Sequence, residues 1–324
     1  MTRAWVLTDY GQLAWQEKPI PEGRGLLLRV VATGICGSDL GVYTGSPSMR
    51  ARWRPPLILG HEVAGVVEEG PPHLLGQAVA VHPAIPCGHC PQCRAGRPHL
   101  CPHRLHLGFH LPGGLAPWIR MPEAQLYPLP SHLPPWKGAL AEPLAVALHA
   151  VNRAGLLPGE EVLLLGGGSI GALLAWILTN KGARVLLVEP NALRARALET
   201  MGLVERAASY GDELPAQTFP LVLDTVGTGE SLAQALRATA PGGRVVVLGL
   251  AGQEAPLNLQ DLVLGERTVL GSYLFTQEEF AEAIGHLGAL PDSLVRLWPA
   301  EQVQEAFQAL LQGRVGEPKV VLVW

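Results

Sequence analysis

VLLLGGGSIGALLAWILTN, residues 162–180, runs 19 positions without a charge, close to the roughly 20 that a membrane-spanning helix needs. Gly166, Gly167 and Gly168 divide the run. The residues before them read as the end of a short buried strand, 161–165, and those after them as a helix, 169–181. The membrane reading falls with that division, and no other segment resembles a span. Gly166, Gly168 and Gly171 form G-x-G-x-x-G between strand and helix, with Ser169 and Ile170 inside the motif. The first glycine permits a tight turn, the second lets the backbone approach a pyrophosphate, and the third lets helix and sheet pack closely. Free N–H groups at the helix start face the phosphates.

The same texture continues on the C-terminal side. Strands are expected at 184–188, 221–224, 244–248 and 268–270, with helices at 191–201 and 230–238 between them. Alternation of this kind is the pattern of a doubly wound parallel sheet, so the fold class is α/β. Glu189 ends the second strand, 18 residues beyond Gly171, where a carboxylate accepts hydrogen bonds from ribose hydroxyls and repels a 2′-phosphate. That favours NAD over NADP, although Arg194 and Arg196 lie close enough in sequence to offer such a phosphate a partner. A glycine turn that binds nothing is the plain alternative. Beyond residue 271 come two amphipathic helical patterns, 277–287 and 300–312, and a terminal strand, 319–323. Before residue 145 the chain is rich in Gly and Pro with short runs such as 26–32 and 63–67, which read as irregular β structure. The expected division is therefore 1–145, 146–271 and a return segment 272–324.

Composition agrees with two packed domains. The chain has 324 residues, 48% hydrophobic and 16% charged, enough to bury two cores. A net charge of -4 gives no electrostatic reason to expect nucleic acid or an acidic membrane surface. The opening MTRAWVLTDYGQ carries charges and no uninterrupted apolar stretch, unlike a secretory leader. A cytoplasmic location is expected, where thiols stay reduced.

Five cysteines are present, and four of them, Cys87, Cys90, Cys93 and Cys101, fall in CGHCPQCRAGRPHLC. Four thiolates so close together can wrap one tetrahedral zinc and leave no open position, which makes a closed, structural site. An iron-sulfur cluster is the sharper rival, since Cys101-Pro102 matches the end of the bacterial ferredoxin run, but that run has three residues before its last cysteine and this one has seven. His89, His99 and His103 are possible substitute ligands. The fifth cysteine, Cys36, stands in GICGSD, and His61-Glu62 in LGHEVAGVVEEG. Taken singly, a buried cysteine or histidine is more often packing than ligand.

Together these segments resemble the zinc-dependent medium-chain dehydrogenase/reductase family, in its polyol, sugar and threonine dehydrogenase branch. The resemblance is carried by GICGSD at 34–39, GHEVAG at 60–65, the CGHCPQC lobe, AEPLAVALHA at 141–150, GGGSIG at 166–171 and LGS at 270–272, in the family order over almost the whole chain. It implies a GroES-like catalytic domain of irregular β structure, built from both ends of the chain, with a Rossmann domain inserted. It further implies two zinc ions per chain. Cys36 and His61 would be ligands of a catalytic zinc, with Glu62 and Glu142 completing or exchanging in its shell, and Ser38 would begin the proton relay. Thr225, Val226, Leu248 and Leu250 would lie along the cofactor. Zinc with an open position would polarise the substrate hydroxyl, and hydride would pass to NAD. A homo-oligomer, dimer or tetramer, is the family expectation.

Departures from the family bear on the substrate. Gly41 stands where many relatives have histidine in GSDxH, GGLAPW at 113–118 replaces GGFAEY, and the chain is shortened near 290–300. Trp53, Phe109 and Trp118 are candidates for an apolar pocket wall, or simply core aromatics. The expected activity is oxidation of a secondary hydroxyl of a polyol, sugar or related small alcohol. Alternatives are L-threonine 3-dehydrogenase, a non-catalytic structural or regulatory family member, and a zinc-ribbon nucleic-acid module, which would leave GGGSIG and the acidic charge unexplained.

Overall fold

The computed structural model describes residues 1–209 and 214–324. The chain divides into two compact units, one formed by Met1–Ala145, Phe275–Gln312 and Lys319–Trp324, the other by Val146–Leu274 and Gly313–Pro318. Among the described residues no helix is long and apolar enough to cross a membrane.

The second unit holds a six-stranded, all-parallel sheet. Its strands are, in chain order, Glu161–Leu165, Arg184–Val188, Arg206–Ala208, Phe219–Asp224, Thr239–Val247 and Thr268–Gly271, arranged third-second-first-fourth-fifth-sixth. The order reverses beside the first strand, the place where open α/β sheets bind ligands beyond the strand ends. Helix Ser169–Asn180 is hydrophobic along nearly its whole length and buries Gly171 through Leu178, which is why its sequence imitates a membrane span. Arg206–Ala208 is not expected from the sequence, because three residues with an exposed arginine show no periodicity. Thr239–Val247 begins five residues before its expected start, and the register between it and Phe219–Asp224 shifts through the irregular stretch.

In the first unit a mostly antiparallel seven-stranded sheet runs in the order Val295–Pro299, Lys319–Val323, Leu26–Gly34, Glu62–Glu69, Ala78–Val81, Leu126–Pro128, with Trp118–Met121 also paired to Leu26–Gly34. Leu28, Val30, Val63, Val67, Val79, Val81 and Ile119 face one another to form its core. Strand register decides which residues meet at one end of this sheet. Gly34 lies opposite Glu62 on one side and opposite Val321 on the other, so the terminal strand reaches the start of the GHE segment. A side chain on Gly34 would collide with the Glu62 carboxylate, so glycine here makes room for an acid.

Candidate active site

Cys36 ends the turn after Leu26–Gly34 and caps helix Gly37–Thr44, with Asp39 at the third helical position closing a capping box on the Cys36 N–H at 3.0 Å. The other Asp39 oxygen accepts from the Gly60 N–H at 3.3 Å and stands 3.5 Å from His61 Nδ1. One buried carboxylate thus ties the Cys36 turn to the GHE turn. Ligand atoms of Cys36, His61 and Glu62 fall within 4.8 Å of one another. Among the described residues Glu62 Oε1 is buried without a hydrogen bond, and His61 Nδ1 has only the Asp39 carboxylate at 3.5 Å, a costly condition for buried polar atoms. A cation fits this donor set, with thiolate and imidazole preferring zinc among common ions and the carboxylate adding charge.

Lys319, 3% exposed, brings its ammonium against Glu62 as an ion pair and donates to the Ile35 carbonyl at 2.9 Å. Glu142, 5% exposed, sits in the first turn of helix Ala141–Ala154 beside the same charges but outside the three-residue set. Burial pushes its carboxyl up to about 7, with the charge of Glu62 adding to the rise and those of His61 and Lys319 opposing it. Burial disfavours a charged His61, yet Asp39 and Cys36 outweigh it and hold the imidazole well above its ordinary range. Ser38 is half-buried in the first turn of the Cys36 helix.

Aromatic rings continue from His61. Its ring lies 5.5 Å from His106 and 5.2 Å from Phe109, and Phe109 stacks on Trp53 at 5.0 Å. His106 bonds the Leu107 carbonyl through Nδ1, which requires the proton there, and burial lowers its pKa to about 3, so the ring is neutral. Trp118 is placed elsewhere, on the strand beside Arg29.

The four remaining cysteines form the second cluster, all Sγ atoms within 4.8 Å. Cys90 Sγ is 3.5 Å from Cys93 Sγ and 3.8 Å from Cys101 Sγ, far beyond a disulfide and close to the edge, about 3.8 Å, of a tetrahedron with Zn–S arms of about 2.3 Å. The residues fit a zinc ion. His89 instead bonds the Cys87 carbonyl at 2.7 Å, and His103 is exposed.

In the second unit Gly166 has φ 94°, and a side chain there would strike Thr225 Oγ1, which donates to the Leu165 carbonyl at 2.8 Å. Gly168 caps Ser169–Asn180 without a side-chain bond and borders open space, leaving room for a ligand over the helix start. A Cβ on Gly171 would strike the Gly166 carbonyl. Ser169 Oγ donates to the Pro318 carbonyl, and Ile170 is its neighbour in the helix. Glu189, 4% exposed, accepts from the N–H groups of Gly167 and Asn191, each at 2.7 Å, and pairs with Arg194 at 3.0 Å. Arg194 therefore faces the acid, and its buried Nε makes no hydrogen bond among the described residues. Asp224 accepts from the N–H groups of Val226 and Gly227 and from Ser231 Oγ, which fixes the loop after its strand. Leu248 is half-buried and Leu250 is exposed.

The sequence does not single out Asp39, Lys319, His106 or Asp224. Lys319 carries a signal all the same, since it is the one charge in the otherwise apolar terminal strand KVVLV.

Residues 22–131 match the alcohol dehydrogenase GroES-like domain, and residues 169–288 match the zinc-binding dehydrogenase domain. L-galactonate-5-dehydrogenase of Escherichia coli is 32% identical over 292 residues, 86% of this chain and 84% of that protein. L-threonine 3-dehydrogenase of Xanthomonas axonopodis pv. citri is 29% identical over 99% of both chains. The crystal structure of L-idonate 5-dehydrogenase from Escherichia coli superposes with a TM-score of 0.90 at 28% identity, covering 100% of this chain and 98% of the other.

Proposed function

Since the chain belongs to the zinc-dependent medium-chain dehydrogenase/reductase family, we propose that it oxidises a secondary hydroxyl of a polyol, sugar or related small alcohol with NAD. The observation that carries this reading is the Cys36, His61 and Glu62 set, whose ligand atoms lie within 4.8 Å of one another, with His61 and Glu62 buried and Cys36 half-buried. Zinc held there supplies Lewis acidity toward the substrate hydroxyl, and a bound nicotinamide supplies the hydride acceptor.

The chain's own groups do the rest. Cys36 and His61 hold the ion, Asp39 fixes both of their turns, and Lys319 restrains Glu62, which with Glu142 completes or exchanges in the shell. Ser38 takes the hydroxyl proton toward solvent, and with Gly41 in place of a histidine the next carrier is water. The four-cysteine cluster holds a structural zinc. Gly166, Gly168, Ser169, Ile170 and Gly171 cradle the pyrophosphate; Glu189 and Arg194 meet the adenosine half, and Thr225, Val226, Leu248 and Leu250 flank the cofactor. Glu189 favours NAD because its charge is buried beside that turn.

Metal analysis of the purified protein should return two zincs per chain, and NAD should be reduced with at least one member of a panel of hexitols, sugars, aldonates and threonine. One zinc and no reduction across the panel would refute the reading. Threonine as the best substrate would select the second reading, which the full-length match to L-threonine 3-dehydrogenase favours.

Self-association through the Rossmann unit is part of the proposal. Among the described residues Thr268–Gly271 is an edge strand with one neighbour, and Leu259, Val263 and Leu264 near it in sequence are 65%, 68% and 85% exposed, a combination that invites pairing with a second copy. Light scattering should give a dimer or tetramer, and Leu264→Glu should shift it toward monomer.

A further inference from the structure

We infer that His106 sets substrate specificity by accepting a hydrogen bond from a second donor on the substrate, an O–H or N–H on the carbon next to the reacting hydroxyl. The inference rests on the dehydrogenase reading and narrows its substrates to vicinal diols and amino alcohols, against plain monohydric alcohols.

Two buried histidines lie at the short pairing of Ala84–Ile85 with Leu105–His106, and the fold uses them differently. His82 accepts from the Ala84 N–H through Nδ1 at 3.3 Å, and its ring packs against Phe275 at 5.0 Å and Phe280 at 5.1 Å. Its role is packing. His106 is 6% exposed, with its ring 5.5 Å from the His61 ring and 5.3 Å from Phe109. It stands one ring contact away from a member of the Cys36, His61 and Glu62 set.

The surroundings of His106 fix what it can do. Burial first, then His61, Arg104 and His110, disfavour a charge on its ring and outweigh the Leu107 carbonyl. A neutral imidazole has one proton, and Nδ1 donates it to that carbonyl at 2.9 Å, which leaves Nε2 an acceptor. Among the described residues Nε2 makes no hydrogen bond, and it is not one of the fully enclosed unpaired atoms, so it borders open space. The ring is no proton relay, because the proton on Nδ1 has only a backbone carbonyl to meet. The reacting hydroxyl gives its proton up through Ser38 and has none to offer Nε2. An acceptor left unpaired beside a desolvated substrate carries a penalty, which a neighbouring O–H or N–H removes. In a vicinal diol the two oxygens lie about as far apart as a hydrogen-bonded pair, roughly 2.8 Å, and the bond to Nε2 adds about as much again. That reach is comparable with the single ring contact of 5.5 Å between His61 and His106. Hexitols and threonine both carry the required donor, a hydroxyl in one and an ammonium in the other.

Steady-state oxidation with NAD is compared within matched pairs: 2,3-butanediol against 2-butanol, hexitols against their singly deoxygenated forms, and threonine against 3-hydroxybutyrate. Wild type, His106→Asn and His106→Gln are assayed. Asparagine puts its N–H where Nδ1 stood, keeping the bond to the Leu107 carbonyl while removing the acceptor; glutamine puts an oxygen near the place of Nε2 and gives up that bond. In wild type, kcat/KM should favour the donor-bearing member of at least one pair by about 100-fold or more. His106→Asn should cut that ratio about tenfold or more with the urea midpoint and zinc content unchanged, whereas His106→Gln should keep most of the ratio at a lower midpoint. Equal use of both members of every pair would overturn the inference. So would a ratio that survives in His106→Asn and falls with stability in His106→Gln, which would make His106 a packing residue like His82. Calorimetric titration of 2,3-butanediol and 2-butanol into the zinc-loaded protein with NADH separates the two claims. Diol binding preferred in wild type and weakened about tenfold in His106→Asn, without oxidation of anything, would refute the dehydrogenase reading and leave the acceptor standing. Turnover without any preference for the second donor would do the reverse, and no preference in either turnover or binding would remove the acceptor altogether.

Discussion

The Cys87–Cys101 lobe and the Cys36–His61–Glu62 set are both groups of metal-binding side chains, and they are assembled by opposite means. All four lobe thiols come from one 15-residue stretch on short turns, and two of them, Cys87 and Cys93, are only half-buried. Their supports are local, such as the Cys87 N–H on Cys101 Sγ and the Cys93 N–H on Cys90 Sγ. The other site draws on the end of Leu26–Gly34, the start of Glu62–Glu69, helix Ala141–Ala154 and the terminal strand. A closed site can be local because its ligands need only one another and the ion. An open site must stay in shape without a full set of protein ligands, so its buried charges are fixed from outside, Asp39 on two backbone N–H groups and Lys319 on Glu62 and the Ile35 carbonyl.

The sharpest way to break this contrast is His61→Ala. It should lower kcat/KM by at least about 10³-fold, because the Lewis acid is lost with its ligand, and the metal content should fall from two ions per chain to one. Retention of both ions and of turnover would show that the buried set holds no catalytic metal. Next in size is Lys319→Met. Lys319 and Glu62 side chains are 3% and 1% exposed, so removing the ammonium leaves a buried carboxylate without its counter-charge. In the metal-free protein, where no ion can substitute, the urea midpoint should report a loss of about 3 kcal/mol, and Lys319→Met/Glu62→Gln should recover most of it. Failure of the double variant to recover would mean that Lys319 serves mainly the Ile35 carbonyl. Cys93→Ser should be milder for turnover, within about tenfold, while the second zinc is lost and proteolysis opens the 87–101 segment. A loss of turnover matching that of His61→Ala would erase the distinction between the two sites.

The same contrast explains what can be read in the sequence. The six-residue GGGSIG motif is legible because strand, turn and helix are consecutive, and the lobe because its spacing is its structure. Lys319 is not, since its partner is 257 positions away in sequence and only the pairing of Gly34 with both Glu62 and Val321 brings them together. Asp39 looks like an ordinary first-turn acid; its second oxygen reaches Gly60 across a contact no local pattern encodes. His106 lies in a two-residue strand, too short to show which face is buried. By sequence alone Arg194 reads as a rival to Glu189, and the fold instead pairs them. Glycine is the informative residue where a neighbour needs its space, as at Gly34, and a motif such as G-x-G-x-x-G captures that only when the neighbour is close in sequence.

The smallest effect concerns protonation within the lobe, and it tests how far local structure alone prepares a closed site for metal. The His89 backbone N–H points at Cys87 and stabilises its thiolate, so the pKa falls from the ordinary thiol value to about 6, whereas burial beside Cys90 raises Cys93 to about 12. A lowered thiol pKa means that the reactive anion predominates above pH 6 rather than above about 8.5. In the metal-free protein, alkylation by iodoacetamide and then peptide mass analysis should therefore find Cys87 modified first at pH 7, with a rate that rises through a midpoint near pH 6, and Cys93 last. An ordinary midpoint at Cys87 would show that the turn does not ready its ligand and that the ion itself must draw off every proton.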